Sequence, residues 1–261
     1  MKEEEKIMFL VFNKEKIDTY LVAILTVAIL IGIASIDKAK VIPTSAVEKN
    51  LPIYNVQTEE KKLAFTMNCA WNADDIDQIL EVLKNNDVKI TFFMVGEWID
   101  KYPDEVKKIY EAGHEIGSHS NTHPHVNNLS SEKNLEEIKL SVSKIEKITG
   151  SQTKLYRTPY GEYNDTVIKT ATENGYYPIQ WDVDTLDYEG KTGDEMWGRI
   201  KGKIKNGSII LSHNGTKHTA ESLDMLIKNI KSKGFEIVKV SDLIYQDNYR
   251  IDNNGMQLKQ P

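Results

Sequence analysis

Cysteine occurs once in the 261 residues, at Cys69. No intrachain disulfide can therefore staple the fold, and no disulfide framework places the chain in a compartment. Positive charge is also short: 33 Lys and Arg face 39 Asp and Glu, a formal net charge of -6. Nucleic-acid binding rests on clustered basic residues that neutralise phosphates, so this balance argues against nucleic acid as a partner. No glycine-rich phosphate loop follows the first strand candidate, which leaves a nucleotide cofactor without a cradle. Internal repeats and low-complexity tracts are absent as well.

One long hydrophobic run is present. Residues 19–36 read TYLVAILTVAILIGIASI without a charge, and Asp37 and Lys38 end the run. As a helix, this segment rises about 27 Å, close to the thickness of a bilayer core. It is long for a signal-peptide core and no clear Ala-x-Ala site follows, so the expectation is an uncleaved transmembrane anchor. Lys2, Lys6, Lys14 and Lys16 precede it, against Lys38, Lys40 and Lys49 after it. That slight bias points to a cytoplasmic segment over residues 1–18 and an extracellular remainder, attached to the cell membrane by a single pass.

Residues 37–61 are polar and proline-punctuated and read as a linker. Beyond them, apolar runs alternate with helical patterns. Strands are expected near 63–67, 89–95, 114–118, 154–156, 177–181, 208–212 and 235–238. Helical spacing links Ile76, Ile79, Leu80 and Leu83; then Leu135, Ile138, Val142 and Ile145; then Leu223, Leu226, Ile227 and Ile230. The expected fold is α/β, a distorted parallel (β/α) barrel of about seven units. Residues 247–261 read as a polar, poorly ordered tail.

Residues that follow barrel strands gather at one end, where such folds place their chemistry. Five segments bring polar residues there: Asn68-Cys69; His119 and His123; Arg157-Thr158-Pro159-Tyr160-Gly161; Asp182, Asp184 and Asp187; and Leu211-Ser212-His213. Three of the six histidines fall in Ser118-His119-Ser120-Asn121-Thr122-His123-Pro124-His125. If the backbone turned helically there, His119 and His123 would point the same way, as two ligands of one ion must.

The order His119-x-x-x-His123, Arg157-x-Pro159-Tyr160-Gly161, Asp184-x-x-Asp187 and Leu211-x-His213 resembles the polysaccharide deacetylase family, the NodB-type domain of carbohydrate esterase family 4. The resemblance covers residues 62–245 and places such a domain at 62–246. It implies a metal-dependent hydrolase removing N-acetyl groups from N-acetylglucosamine- or N-acetylmuramic-type residues of peptidoglycan or a chitin-like polymer. His119 and His123 would hold a divalent ion, zinc first among the candidates. The backbone N–H of Tyr160 would face the oxyanion, and His213, oriented by Asp187, would be the general acid. Leu211, Trp181 and Tyr188 would line an acetate pocket beside Pro159, and Trp71 or Trp98 would stack on sugar rings.

At the family's first motif this sequence departs from the pattern. Where Thr-Phe-Asp-Asp-Gly is usual, the chain reads Thr66-Met67-Asn68-Cys69-Ala70. Asn68 stands in the place of the base, and a positioned base is worth about 10²–10⁴-fold in rate. Cys69 stands in the place of a metal-ligating aspartate and reads either as a thiolate ligand or as a buried thiol. Arg157 would lose its acidic partner unless Asp182 or Asp184 replaced it. Asp74 and Asp75 read as helix caps or as a substitute base. Three functions are thus in view: a deacetylase, a glycan-binding relative without turnover, and a cysteine hydrolase built on Cys69 and His213.

Overall fold

A computed structural model describes residues 21–29 and 50–260. The chain divides into two units, Met1–Glu48 and Lys49–Pro261. In the first, residues 21–29 are helical with exposed side chains. Among the described residues no helix is long and apolar enough to cross a membrane. The remainder of the expected span, at 19–20 and 30–36, lies outside the described residues, as does the expected cytoplasmic segment.

The second unit is built on an eight-stranded sheet. Its strands are β2 (Lys62–Cys69), β3 (Thr91–Met94), β4 (Glu115–Ser118), β5 (Leu155–Tyr156), β6 (Tyr177–Pro178), β7 (Val183–Asp184), β8 (Ile209–His213) and β9 (Glu236–Val238). They run parallel in the order β6-β5-β4-β3-β2-β8-β7, with β9 pairing the start of β2. Although β6 and β7 stand at opposite ends of this order, only residues 179–182 join them. Five Cα steps span at most about 19 Å, whereas seven strands laid flat would spread over about 29 Å. The sheet must therefore curl until its edges approach, which is a distorted (β/α) barrel.

Helices cover the outside: α1 (Ile76–Asn85), α2 (Gly96–Lys101), α3 (Pro103–Glu111), α4 (Ser131–Thr149), α5 (Asp165–Glu173), α6 (Gly193–Ile200) and α7 (Thr219–Ser232), while the short α8 (Val240–Leu243) joins the inner core. Local signals set their ends. Ser130 caps α4 and Gly150 closes it at φ 69, and a Thr192/Glu195 capping box starts α6.

β2 is buried on both faces, and its period of two sorts the residues. Leu63, Phe65, Met67 and Cys69 join the core beneath the helices. Ala64 faces the inner core with Phe93, Leu155, Ile179 and Ile209, which α8 closes from below with Val240 and Leu243. Thr66 and Asn68 share the Ala64 face, and both receive hydrogen bonds from Arg157.

Residues expected to form a loose tail and the end of a linker instead fold together. β1 (Asn55–Val56), β10 (Tyr249–Ile251) and β11 (Met256–Lys259) make a three-stranded sheet. The hairpin between β10 and β11 turns on Asp252, whose carboxylate accepts from the backbone of Asn254 and Met256, with Gly255 at φ 80. Gln257 is fully buried and exchanges hydrogen bonds with the backbone of Tyr245. Ile53, also in the expected linker, lies in the inner core. A polar composition concealed these strands because their anchoring contacts are hydrogen bonds rather than an apolar stripe.

Candidate active site

Strand ends deliver the site. Inner-face alternation carries Ala64, Thr66 and Asn68 along β2, and Ile209, Leu211 and His213 along β8. One cleft of about 460 Å³ is lined by Asn68, Trp71, His119, His123, Tyr160, Trp181, Tyr188, Leu211 and His213, together with Ala70, Val95, Glu97, Trp98 and Gly161. Of the residues expected at the site, Arg157, Pro159 and Asp187 lie buried behind this lining, and Cys69 does not join it. A larger groove of about 690 Å³, around Gly113, His114 and Lys154 at the opposite ends of the strands, contains none of these residues.

His213 and Asp187 are the best-defined pair. Asp187 is fully buried, and its carboxylate accepts from His213 Nδ1 at 2.9 Å, the backbone N–H groups of His213 and Tyr188, and the hydroxyl of Thr219. These donors fix the orientation of the carboxylate. Nδ1 of His213 is thereby held as the donor, leaving Nε2 for the cleft. Trp71 lies 5.2 Å from the imidazole at a tilt of 33°, and Tyr188 meets it edge-on at 5.3 Å.

The histidine loop is not a helical turn. Ser120 and His123 both adopt left-handed backbone, at φ 64 and 56, and this geometry brings the rings of His119 and His123 to 4.9 Å. Glu137 of α4 secures the loop by accepting from Asn121 N, Thr122 N and the Thr122 hydroxyl. Nδ1 of His119 lies 2.9 Å from the Arg157 carbonyl and acts as donor, so Nε2 keeps its lone pair. Burial pushes the pKa of both imidazoles down, further for His119, with His123 adding to the effect there. Tyr160, itself at φ 57, packs edge-on against His123 and stacks on His125 at 4.4 Å.

Arg157 is fully buried, with Phe93 4.0 Å and Trp181 5.5 Å from its guanidinium carbon. It donates to Thr66 Oγ1, Asn68 Oδ1 and the carbonyls of Ile179 and Gln180, every one a neutral acceptor. Burial lowers its pKa to about 9, opposed by the charge of Asp184, so the guanidinium remains protonated at neutral pH. Neither aspartate considered as its substitute partner bonds it. Asp182 accepts from Ser208 and Ile209 N, and Asp184 accepts from Leu186 N.

Two further expectations are corrected. Asp75 occupies the cap position of α1 but makes no side-chain cap bond; it accepts from Asn214 Nδ2 and Gly215 N, tying the loop after β8 to the loop after β2. It is therefore a tie between loops rather than a cap, and it does not line the cleft. Cys69, one residue beyond Asn68, faces the opposite way into the helix-covered core and is fully buried. Burial, and then the charge of Asp75, pushes its thiol pKa up, which disfavours the thiolate. No cysteine nucleophile meets His213 in this geometry.

Among the described residues no group of three His, Cys, Asp or Glu side chains gathers to hold an ion. His119 and His123 offer two nitrogen donors, one ligand short of the three protein ligands of a catalytic zinc centre. The residues present do not fit that centre.

Pro159 is buried at the start of the turn carrying Tyr160 and shapes the wall from behind. Trp98 is buried, with Nε1 donating to the Asn72 carbonyl, so it forms wall rather than sugar platform. Glu97 follows β3 at the same end of the barrel as the other strand-end residues, and no motif spacing marks it in the sequence.

A (β/α) barrel gathers a histidine–aspartate pair, two further histidines and exposed aromatics at the strand ends, where such barrels build active sites. The polysaccharide deacetylase family model matches residues 55–179. The peptidoglycan-N-acetylglucosamine deacetylase of Bacillus cereus is 30% identical over 79% of this chain and 77% of its own length. The uncharacterized protein YlxY of Bacillus subtilis is 35% identical over 74% of this chain, which spans 60% of that relative. A solved CE4 family pseudoenzyme from Bacillus anthracis superposes with a TM-score of 0.71 at 33% identity, over 80% of this chain and 73% of that one. A mutant described as having restored enzymatic activity matches at 34% identity with the same TM-score, over 75% and 71%. The chain belongs to the polysaccharide deacetylase family.

Proposed function

We propose that this chain acts on N-acetylated cell-wall polysaccharide, peptidoglycan or a chitin-like polymer, as a deacetylase of its N-acetylglucosamine- or N-acetylmuramic-type residues. The His213–Asp187 pair at 2.9 Å carries this reading. Binding alone has no need of an oriented imidazole whose second nitrogen faces the cleft.

Hydrolysis adds water to the acetamide carbonyl carbon, breaks the C–N bond and releases acetate and an amine. His213, held by Asp187, donates the proton that the departing nitrogen requires. Leu211 and Trp181 wall the acetyl methyl group, the Tyr160 N–H faces the developing oxyanion, and Trp71 and Tyr188 flank the sugar. For the divalent ion that the family implies, zinc by preference, only His119 and His123 would serve as ligands, one short of a catalytic centre.

A second reading, glycan binding without turnover, rests on Asn68. Its side-chain oxygen accepts from Arg157 where a base should stand, and an amide does not take up a proton near neutral pH. Acetate release from N-acetylglucosamine oligomers and peptidoglycan, with zinc or chelator and His213→Ala as control, decides between the two. Release that needs His213 supports the deacetylase; release appearing only in Asn68→Asp supports the binding domain.

We also propose that residues 19–36 anchor the chain in the cell membrane with the barrel outside. The uncharged run and the helix over 21–29 support this. Digestion of the barrel by protease added to intact cells is the expected result, and full protection would overturn it.

A further inference from the structure

The cleft holds a carboxylate that the deacetylase chemistry above leaves unused. Glu97 is the only acidic side chain in its lining, and neither lysine nor arginine lines it. The placement is built into the backbone. Gly96 N and Glu97 N donate to the carbonyls of Ser120 and Asn121, fixing the start of α2 against the loop that carries His119 and His123. A Cβ on Gly96 would fall 2.9 Å from the Asn121 Cα, a backbone atom that cannot swing away, so glycine suits that approach. Glu97 itself is exposed, and among the described residues its carboxylate forms no ion pair.

The remaining lining has matching chemistry. Trp71, Tyr160 and Tyr188 are 49%, 60% and 48% exposed, the proportions of sugar platforms rather than core. Nε2 of His119 is an unused acceptor. A carboxylate, an imidazole acceptor and aromatic faces together complement a sugar bearing an ammonium group. An acetamide has no positive charge to offer Glu97.

We propose that this cleft recognises the free amino group of a glucosamine residue, in glycan already de-N-acetylated, with Glu97 as its counter-ion. The inference rests on the glycan reading above and deepens it. In a deacetylase the bound sugar is the product; in a domain without turnover the same contact makes it a reader of deacetylated wall.

The test is binding of the full chain to tetramers of glucosamine and of N-acetylglucosamine, compared in wild type, Glu97→Gln and the remote surface control Glu81→Gln. Wild type and control are expected to prefer the amine tetramer by up to about fivefold, the upper worth of one exposed ion pair. The preference should collapse in Glu97→Gln, and in wild type above about pH 8, where such amines lose their proton. Equal affinity for both tetramers, or a preference that survives Glu97→Gln, overturns the inference while leaving glycan binding intact. Failure to bind either tetramer removes the glycan reading and this inference with it.

Discussion

Nη1 of Arg157 donates to the side-chain oxygen of Asn68 at 3.0 Å, so a fully buried guanidinium rests on neutral acceptors alone. Its desolvation is offset by four hydrogen-bond acceptors and by the Phe93 ring, without a carboxylate in contact. Charged pairs buried together are costly, but a buried cation without a counter-charge is costlier still.

Asn68→Asp should therefore stabilise the fold while supplying a carboxylate at the cleft floor. The expected gain is on the order of 1 kcal/mol, because Asn68 already accepts from Arg157 and the new carboxylate must itself be desolvated. Urea unfolding at pH 7 measures it. A lower midpoint in the variant would show that Arg157 is better served by the amide.

Cys69 should behave as a core residue. Native protein at pH 8 is expected not to react with a thiol reagent, and to react fully once unfolded, because burial raises the thiol pKa. Cys69→Ser should leave zinc content unchanged and lower stability by about 1–3 kcal/mol through an unpaired buried hydroxyl. Loss of bound zinc in that variant would return Cys69 to the cleft.

Acid should weaken the fold before most carboxylates titrate. Burial, with the nearby charge of Lys89, lowers the pKa of His114 to about 4, and its Nδ1 accepts from the Ile90 backbone. Between about pH 6.5 and 4 the unfolded chain binds a proton that the folded chain refuses, so stability falls as pH falls through that window. The contribution is on the order of 3 kcal/mol. His119 and His123 shift in the same direction. His114→Asn should flatten the loss of urea midpoint between pH 7 and 4.5, and an unchanged slope would assign it to other groups.

Much of the barrel was legible because its strands obey a local rule. Apolar runs mark β2, β3 and β8, the last bounded by Gly207 and Gly215, and the periodic spacing of Leu223, Leu226, Ile227 and Ile230 marks the buried face of α7. The hairpin at Asp252–Gly255 carried a readable turn signal, Asn254-Gly255, but its strands bury Gln257 rather than a hydrophobic stripe. β7, two residues over Val183–Asp184, lies in the polar stretch from Asp182 to Asp187 and carries no apolar run of its own.

The sequence by itself determined which chemical groups arrive at the strand ends and in what order: His119, His123, Arg157, Asp187 and His213, with Asn68 and Cys69 where two carboxylates are usual. Which of these meet was decided by the tertiary structure. Adjacent residues on a strand point to opposite faces, so Asn68 reaches Arg157 while Cys69 is turned into the helix layer. Two left-handed residues, held through Glu137, set the histidine pair, and loop closure through Gly96 brings Glu97 into the cleft. Such contacts join segments far apart in the chain, and local propensity does not encode them.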